Sequence, residues 1–173
     1  GVPRLAASDL EPIVRRSGET DEAKIRNTAR LAGGDLLELR RLLGGNNDDV
    51  RHENFEAFCS IMRLSYNDRH LELMNWAEDV AQLSRERQRS MLTDFSRLLR
   101  EAFMLHAGLA EASYLWGEEA EFCRKFAPFI GSGNIEAIIA EIEAAARQIS
   151  QNGNPRIVFT HFALAVSKQI RRL

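Results

Sequence analysis

Residues 84–106 read SRERQRSMLTDFSRLLREAFMLH. Apolar side chains recur in this segment at the i, i+4, i+7 spacing that lines one face of an α-helix. This stripe comprises Met91, Phe95, Leu98, Ala102 and Leu105. Ser84 is a favourable N-cap residue, and Gly108 is of the type that ends helices. The segment therefore predicts a long amphipathic helix whose stripe faces a hydrophobic core.

The same period recurs in every long segment on either side, and none shows sustained alternation, so we predict an all-α fold. Three short helices are expected at the start of the chain. The first opens with a capping-box pattern at 8–11 and has Pro12 in its first turn. The second begins at residues 20–22 and ends at 33–34, and the third spans 36–43.

The glycine-rich polar stretch 44–49, GGNNDD, is the strongest linker signal and divides the chain into 1–45 and 46–173. Beyond it we expect a bundle of about six helices with short, antiparallel connections. Their starts are predicted at Asn47 or Asp48, Asn67, Ser84, about Glu111, Asn134 and Asn154. The last helix, 157–170, is apolar on nearly every side and is expected to be the most buried element.

Composition restricts the function classes. The 173 residues are 45% hydrophobic and 28% charged with a net charge of −2, so the chain is globular and no overall field recruits nucleic acid or an acidic membrane. No apolar run approaches a membrane span and no signal peptide is present, so a cytoplasmic protein is expected. Because the chain begins with Gly1 and lacks an initiator Met, we expect a fragment.

Motifs for chemistry are missing from the sequence. The four histidines stand in no HExxH or ExxH pattern, and His52 with Cys59 supplies only two ligands, so no metal site is predicted. Cys59 and Cys123 lie among phenylalanines, which favours core packing over nucleophilic roles. The chain contains no phosphate-binding glycine loop and no nucleophile elbow. We expect neither catalytic residues nor a cofactor.

Two weaker patterns leave alternatives open. Asp48-Asp49 resembles the start of a DDxxD motif, which leaves a helical lyase or transferase as an enzyme alternative, although helix capping accounts for it better. Five arginines give the long helix a basic side where nucleic acid or an acidic partner can dock, but interleaved acidic residues favour a solvated face. These are Arg85, Arg87, Arg89, Arg97 and Arg100.

Two parts of the chain resemble bacterial DNA polymerase III clamp-loader subunits. Residues 2–5 (VPRL), 29–32 (ARLA) and 33–39 (GGDLLEL) are similar to the lid module of the AAA+ subunits. Residues 55–58 (FEAF), 76–78 (WAE) and 154–159 (NPRIVF) are similar to the C-terminal collar domain of delta-prime subunits. The resemblance implies a three-helix lid followed by a collar that serves DNA replication.

This resemblance also implies which kind of subunit is present. In ATP-hydrolysing subunits the third lid helix carries a sensor-2 arginine, and Leu37 stands at that position here, which favours a non-hydrolysing delta-prime subunit. An alignment shifted by three residues would bring Arg40 there, so a gamma/tau-type subunit remains the alternative. The implied partners are the gamma/tau and delta subunits through the collar, and indirectly the sliding clamp and primer-template DNA.

A binding module of another class is the remaining alternative. An all-α ligand-sensing or dimerisation domain of a regulator would use Trp76, Trp116 and nearby phenylalanines to line a pocket. An enclosed cavity in the bundle would distinguish this alternative from a collar.

Overall fold

The computed structural model describes residues 6–16, 22–31, 33, 47–109 and 117–170. Within these ranges the chain forms eight α-helices, one 3-10 helix and no β-strand, which confirms the all-α prediction. The helices are α1 (Ala7–Arg16), α2 (Glu22–Leu31), α3 (Asn47–Tyr66), α4 (His70–Ala81), α5 (Arg85–His106), α6 (Gly117–Phe126), α7 (Ile135–Ser150) and α8 (Pro155–Ile170), and the 3-10 helix covers Ala127–Phe129. None of these described helices combines the length and the apolar content needed to cross a bilayer.

Helices α3 to α8 form a bundle around one continuous core. Helix α8 packs against α3, α4 and α7, and α5 packs against α3, α6 and α7. The predicted stripe of α5 is buried from Met91 to Ala102, and Leu105 is half-buried. Phe95 lies at the centre, with its ring centroid 5.4 Å from that of Phe58 and 6.2 Å from that of Trp76.

Helices α1 and α2 pack on one another and bury Leu10, Ile25 and Ala29. None of these three side chains belongs to the core formed by α3 to α8. The predicted third helix, 36–43, and the predicted boundary between residues 45 and 46 lie outside the described residues.

Several predicted helix ends are confirmed. The Ser84 hydroxyl accepts a hydrogen bond from the Arg87 N–H at 3.2 Å, as an N-cap does. Asn154 Oδ1 accepts from the Arg156 N–H at 3.0 Å, and α8 begins at Pro155. Gly108 follows α5 with φ +79°, the left-handed conformation that terminates helices.

The prediction that Asn67 caps α4 is wrong. Asn67 Nδ2 instead donates to the Arg63 carbonyl at 2.9 Å, at the end of α3, and α4 begins only at His70. The chain reverses at Asp68, whose φ is 55°, while the Arg69 N–H donates to the Leu64 carbonyl at 3.0 Å. This is the Schellman arrangement, so the loop forms hydrogen bonds with the last carbonyl groups of α3 and none with the first N–H groups of α4 through the Asn67 side chain.

Two other caps also differ from the prediction. Asn134 occupies the N-cap position of α7, but its side chain turns back to accept from the Gly131 N–H at 3.0 Å. Helix α1 begins one residue before the predicted capping Ser8, and Asp9 Oδ2 accepts from the Ala6 N–H at 3.2 Å. Pro12 consequently lies inside α1 instead of in its first turn.

Candidate functional site

The basic side of α5 is largely engaged within the chain. Arg85 Nη1 donates to two backbone carbonyls at the end of α7, at 3.0 and 3.1 Å. Arg87 Nη2 lies 2.6 Å from Glu53 Oε2, and Arg97 binds a carboxylate of α6. Because three of the five guanidinium groups join helices to one another, α5 does not offer five free cations in a row to phosphates.

A half-buried ion network links α3, α5 and α6. Arg51 Nε and Nη2 donate to the two carboxylate oxygens of Glu119 at 3.0 and 2.8 Å. Arg97 Nη1 and Nη2 donate to the same carboxylate at 3.0 and 3.3 Å. Asp94 lies 3.5 Å from Arg97 Nε and accepts from Asn54 Nδ2 at 2.9 Å. The network fixes the relative positions of three helices.

Electrostatics within this network favour the charged forms of Glu119 and Arg97. Burial by itself raises the pKa of Glu119, but the attraction and hydrogen bonds of Arg97 and Arg51 outweigh it and hold the pKa below its ordinary value. Burial likewise opposes the charge of Arg97, yet Glu119 and Asp94 raise the pKa of that guanidinium. Glu119 and Arg97 are therefore both charged at neutral pH and compensate one another.

Cys59 and Cys123 lie in the core, as predicted. Burial is the main cause that raises the pKa of each thiol to about 12. A thiol with that pKa remains protonated at neutral pH and is a poor nucleophile. Both cysteines therefore act as small apolar core residues.

The histidines are distributed over the surface. His52 lies 3.9 Å from Glu56, His70 lies 2.6 Å from Asp68, and His161 lies 3.5 Å from Glu141. His52 is exposed, so it does not converge with the buried Cys59. Among the described residues, no three His, Cys, Asp or Glu side chains form a group that could hold a metal ion.

The remaining candidates from the sequence fall into two groups. Asp48 and Asp49 lie within the first turn of α3, and the positive end of the helix dipole there favours the carboxylate of Asp49. Leu37, Arg40 and Trp116 lie outside the described residues, so their proposed roles stay predictions.

Trp76 is a core residue. Its ring stacks on Phe162 with centroids 6.2 Å apart, and its Nε1 donates to the Ala57 carbonyl at 3.1 Å. The tryptophan also borders an open cleft of about 400 Å³, which the Arg87–Glu53 ion pair flanks. A second cleft of about 280 Å³ lies between α3 and α6, and five of its eight lining residues are charged, unlike the apolar interior of most ligand pockets.

The outer sides of α4 and α8 carry exposed apolar residues. We call this surface the α4/α8 face and define it by Leu71, Met74, Ile157 and Leu164. We predicted that α8 would be apolar on nearly every side and the most buried element; seven of its sixteen residues are buried, but Ile157, His161 and Leu164 are exposed along one side. Apolar periodicity could not reveal this surface, because the sequence shows which residues are apolar but not which sides the neighbouring helices cover.

Comparison with known proteins finds no family model, no curated protein and no solved structure that matches this chain.

Proposed function

We propose that this chain is the lid and collar portion of a clamp-loader subunit of the delta-prime kind. In this role it is a non-hydrolysing scaffold that helps assemble the ring that loads a sliding clamp onto primed DNA. The resemblance of residues 2–39 to a AAA+ lid and of later segments to a collar domain is the basis of the proposal.

The structural observation that best supports this proposal is that the buried residues fall into two separate sets. Leu10, Ile25 and Ala29 of α1 and α2 are shielded without joining the core of α3 to α8. A lid and a collar have different neighbours in a loader ring, so each needs buried contacts of its own.

The bundle also has properties that suit a scaffold. Its aromatic core is continuous, and the network around Glu119 ties three helices together. Buried ion networks can favour one arrangement of helices over others. A scaffold that positions neighbouring subunits needs such a defined shape, while it needs no reactive side chain.

Co-purification tests the proposal. The chain is mixed with the gamma/tau and delta subunits of a bacterial clamp loader and analysed by size-exclusion chromatography with light scattering. We expect it to elute in one complex with them, and a variant that lacks residues 50–173 to be left out. Elution of the full chain by itself, or undiminished assembly without residues 50–173, would overturn the proposal.

A further inference from the structure

The open cleft beside Trp76 lies where α3, α4 and α5 meet, and its volume is about 400 Å³. Several of the side chains that line it are packed into the core, since Met91 is 1% exposed and Val80 is 5% exposed. The indole of Trp76 is held by its hydrogen bond to the Ala57 carbonyl at 3.1 Å. The base of the cleft is therefore an apolar surface that is formed before any occupant arrives, which lowers the cost of binding.

Carboxylates outnumber cations along the cleft. Glu53, Glu56 and Asp79 line it together with one guanidinium, that of Arg87, so the lining carries an excess of two negative charges. Arg87 Nη2 lies 2.6 Å from Glu53 Oε2, and these two charges compensate each other. The excess therefore belongs to Glu56 and Asp79.

Both of these carboxylates are accessible from outside. The side chain of Glu56 is 62% exposed, and the His52 ring lies 3.9 Å from it, at the outer limit of an ion pair. Asp79 is exposed as well, and within the described ranges no cation pairs with its carboxylate. Glu56 projects from α3 and Asp79 from α4, so a cation in the cleft meets negative charge from two helices.

Other cations close to the cleft have partners of their own. Arg156 Nη2 lies 2.6 Å from Glu78, the residue before Asp79. The guanidinium of Arg63 lies over the Phe122 ring, 5.5 Å from its centroid, in the second cleft. These contacts hold both arginines away from the cleft beside Trp76 and leave its acidic excess in place.

This combination of an apolar base and free carboxylates fits a basic side chain. Like charges repel an anion, and an uncharged ligand gains nothing from the carboxylates. A lysine lays its aliphatic stem on apolar surface and keeps its charged head at the water boundary. Its ammonium has three donors and can bond to carboxylates from two helices at once, whereas the planar guanidinium of arginine suits a single carboxylate.

The open shape of the cleft indicates a side chain on a larger molecule. Pockets for free small molecules enclose most of the ligand, and this cleft does not. We propose that it binds a lysine side chain of a partner protein, with the stem beside Trp76 and Met91 and the ammonium at Glu56 and Asp79. This binding site requires no clamp-loader role for the chain.

Peptide titration of the isotope-labelled full chain, followed by two-dimensional NMR, tests the proposal. The probe is acetyl-Gly-Gly-Lys-Gly-Gly-amide, and we expect it to shift the Trp76 indole N–H and the backbone amides of the cleft until saturation. The same peptide with norleucine in place of lysine keeps the stem and lacks the ammonium. It should bind at least about fivefold more weakly, because the contacts to both carboxylates are lost.

Charge-removing variants locate the interaction. The double variant Glu56→Gln, Asp79→Asn keeps the shape of both side chains and should bind the lysine peptide at least about fivefold more weakly. Glu136→Gln, Glu143→Gln removes the same charge from two exposed positions on α7 and should stay within about twofold of the unmodified chain. Unchanged circular dichroism melting confirms that each variant is folded.

The other outcomes each overturn the proposal. If the lysine peptide shifts no residue of the cleft, or if the norleucine peptide binds equally well, the cleft does not recognise an ammonium group. If both double variants weaken binding to the same degree, the attraction is one of overall charge. If n-butylammonium binds as tightly as the lysine peptide, a free organic cation is the occupant instead of a protein segment. None of these results alters the proposed function.

Discussion

Glu119 accepts four hydrogen bonds from two arginines that lie on different helices. Replacement of Glu119 by Gln would keep its shape but remove the charge that compensates Arg51 and Arg97, both of which are partly buried. We expect the free energy of unfolding at pH 7 to fall by about 2 kcal/mol, because breaking one side of a buried ion pair leaves its partner uncompensated. Urea denaturation measures this change.

We also expect the effect of Glu119→Gln on the free energy of unfolding to depend on pH. The pKa of Glu119 is lower in the folded than in the unfolded state, so its stabilising contribution is complete above the ordinary value of 4.5 and is lost as the pH falls. The difference in stability between the unmodified chain and Glu119→Gln should therefore shrink below about pH 4.5. Glu121→Gln is the matched control, because the Glu121–Lys125 pair is exposed. Equal effects of the two substitutions at pH 7 would contradict the prediction.

At the scale of the helix, the ends show what the sequence can and cannot predict. Ser84 and Asn154 cap as expected, because each side-chain oxygen accepts a hydrogen bond from a backbone N–H in the first turn of the helix that follows. Asn67 and Asn134 do not cap the helix that follows them, because each has backbone partners in the preceding turn or helix. The local sequence identifies a residue whose side chain is able to cap a helix. Whether that side chain bonds to the preceding or the following helix depends on the three-dimensional shape of the turn between them.

The end of α7 allows a direct test. Asn152 has φ 61°, and the Gly153 N–H donates to the Gln148 carbonyl at 2.7 Å. A Cβ on Gly153 would lie 2.7 Å from that carbonyl oxygen, which is a backbone atom and cannot rotate away. We expect Gly153→Ala to lower the free energy of unfolding by about 1–3 kcal/mol, as overpacking does.

Gly133→Ala provides the control for this change. A Cβ there would meet no atom within 4 Å, and Gly133 has no left-handed φ, so its substitution should alter stability little. Chemical denaturation of both variants measures the effect. Equal stability of the two would show that the turn after α7 can relax and that Gly153 is not required there.

The α4/α8 face marks the limit of prediction for the candidate site. The apolar character of Ile157 and Leu164 is plain in the sequence and led to the expectation of burial. Their exposure follows from the arrangement of α3, α4 and α7 around α8, which leaves the outer side of α8 uncovered. That arrangement depends on contacts between distant segments, which the periodicity of one helix does not contain.

At the scale of the molecule, the two sets of buried residues predict that α1 and α2 unfold independently of the bundle. Leu10 and Leu98 are both 0% exposed, but only Leu98 belongs to the core of α3 to α8. They form a matched pair of leucines in two different buried sets. If the chain consists of the two predicted units, damage to one set should not weaken the other.

We therefore predict different outcomes for two Leu→Ala substitutions. Leu98→Ala should lower the stability of the bundle by about 2–5 kcal/mol, as large-to-small changes in a core do. Leu10→Ala should leave hydrogen-exchange protection across residues 47–170 unchanged, since Leu10 is not a member of that core. Mass spectrometry of peptides from each region measures both effects. If Leu10→Ala reduced protection throughout 47–170, the chain would be one cooperative unit, and the predicted division near residue 45 would be wrong.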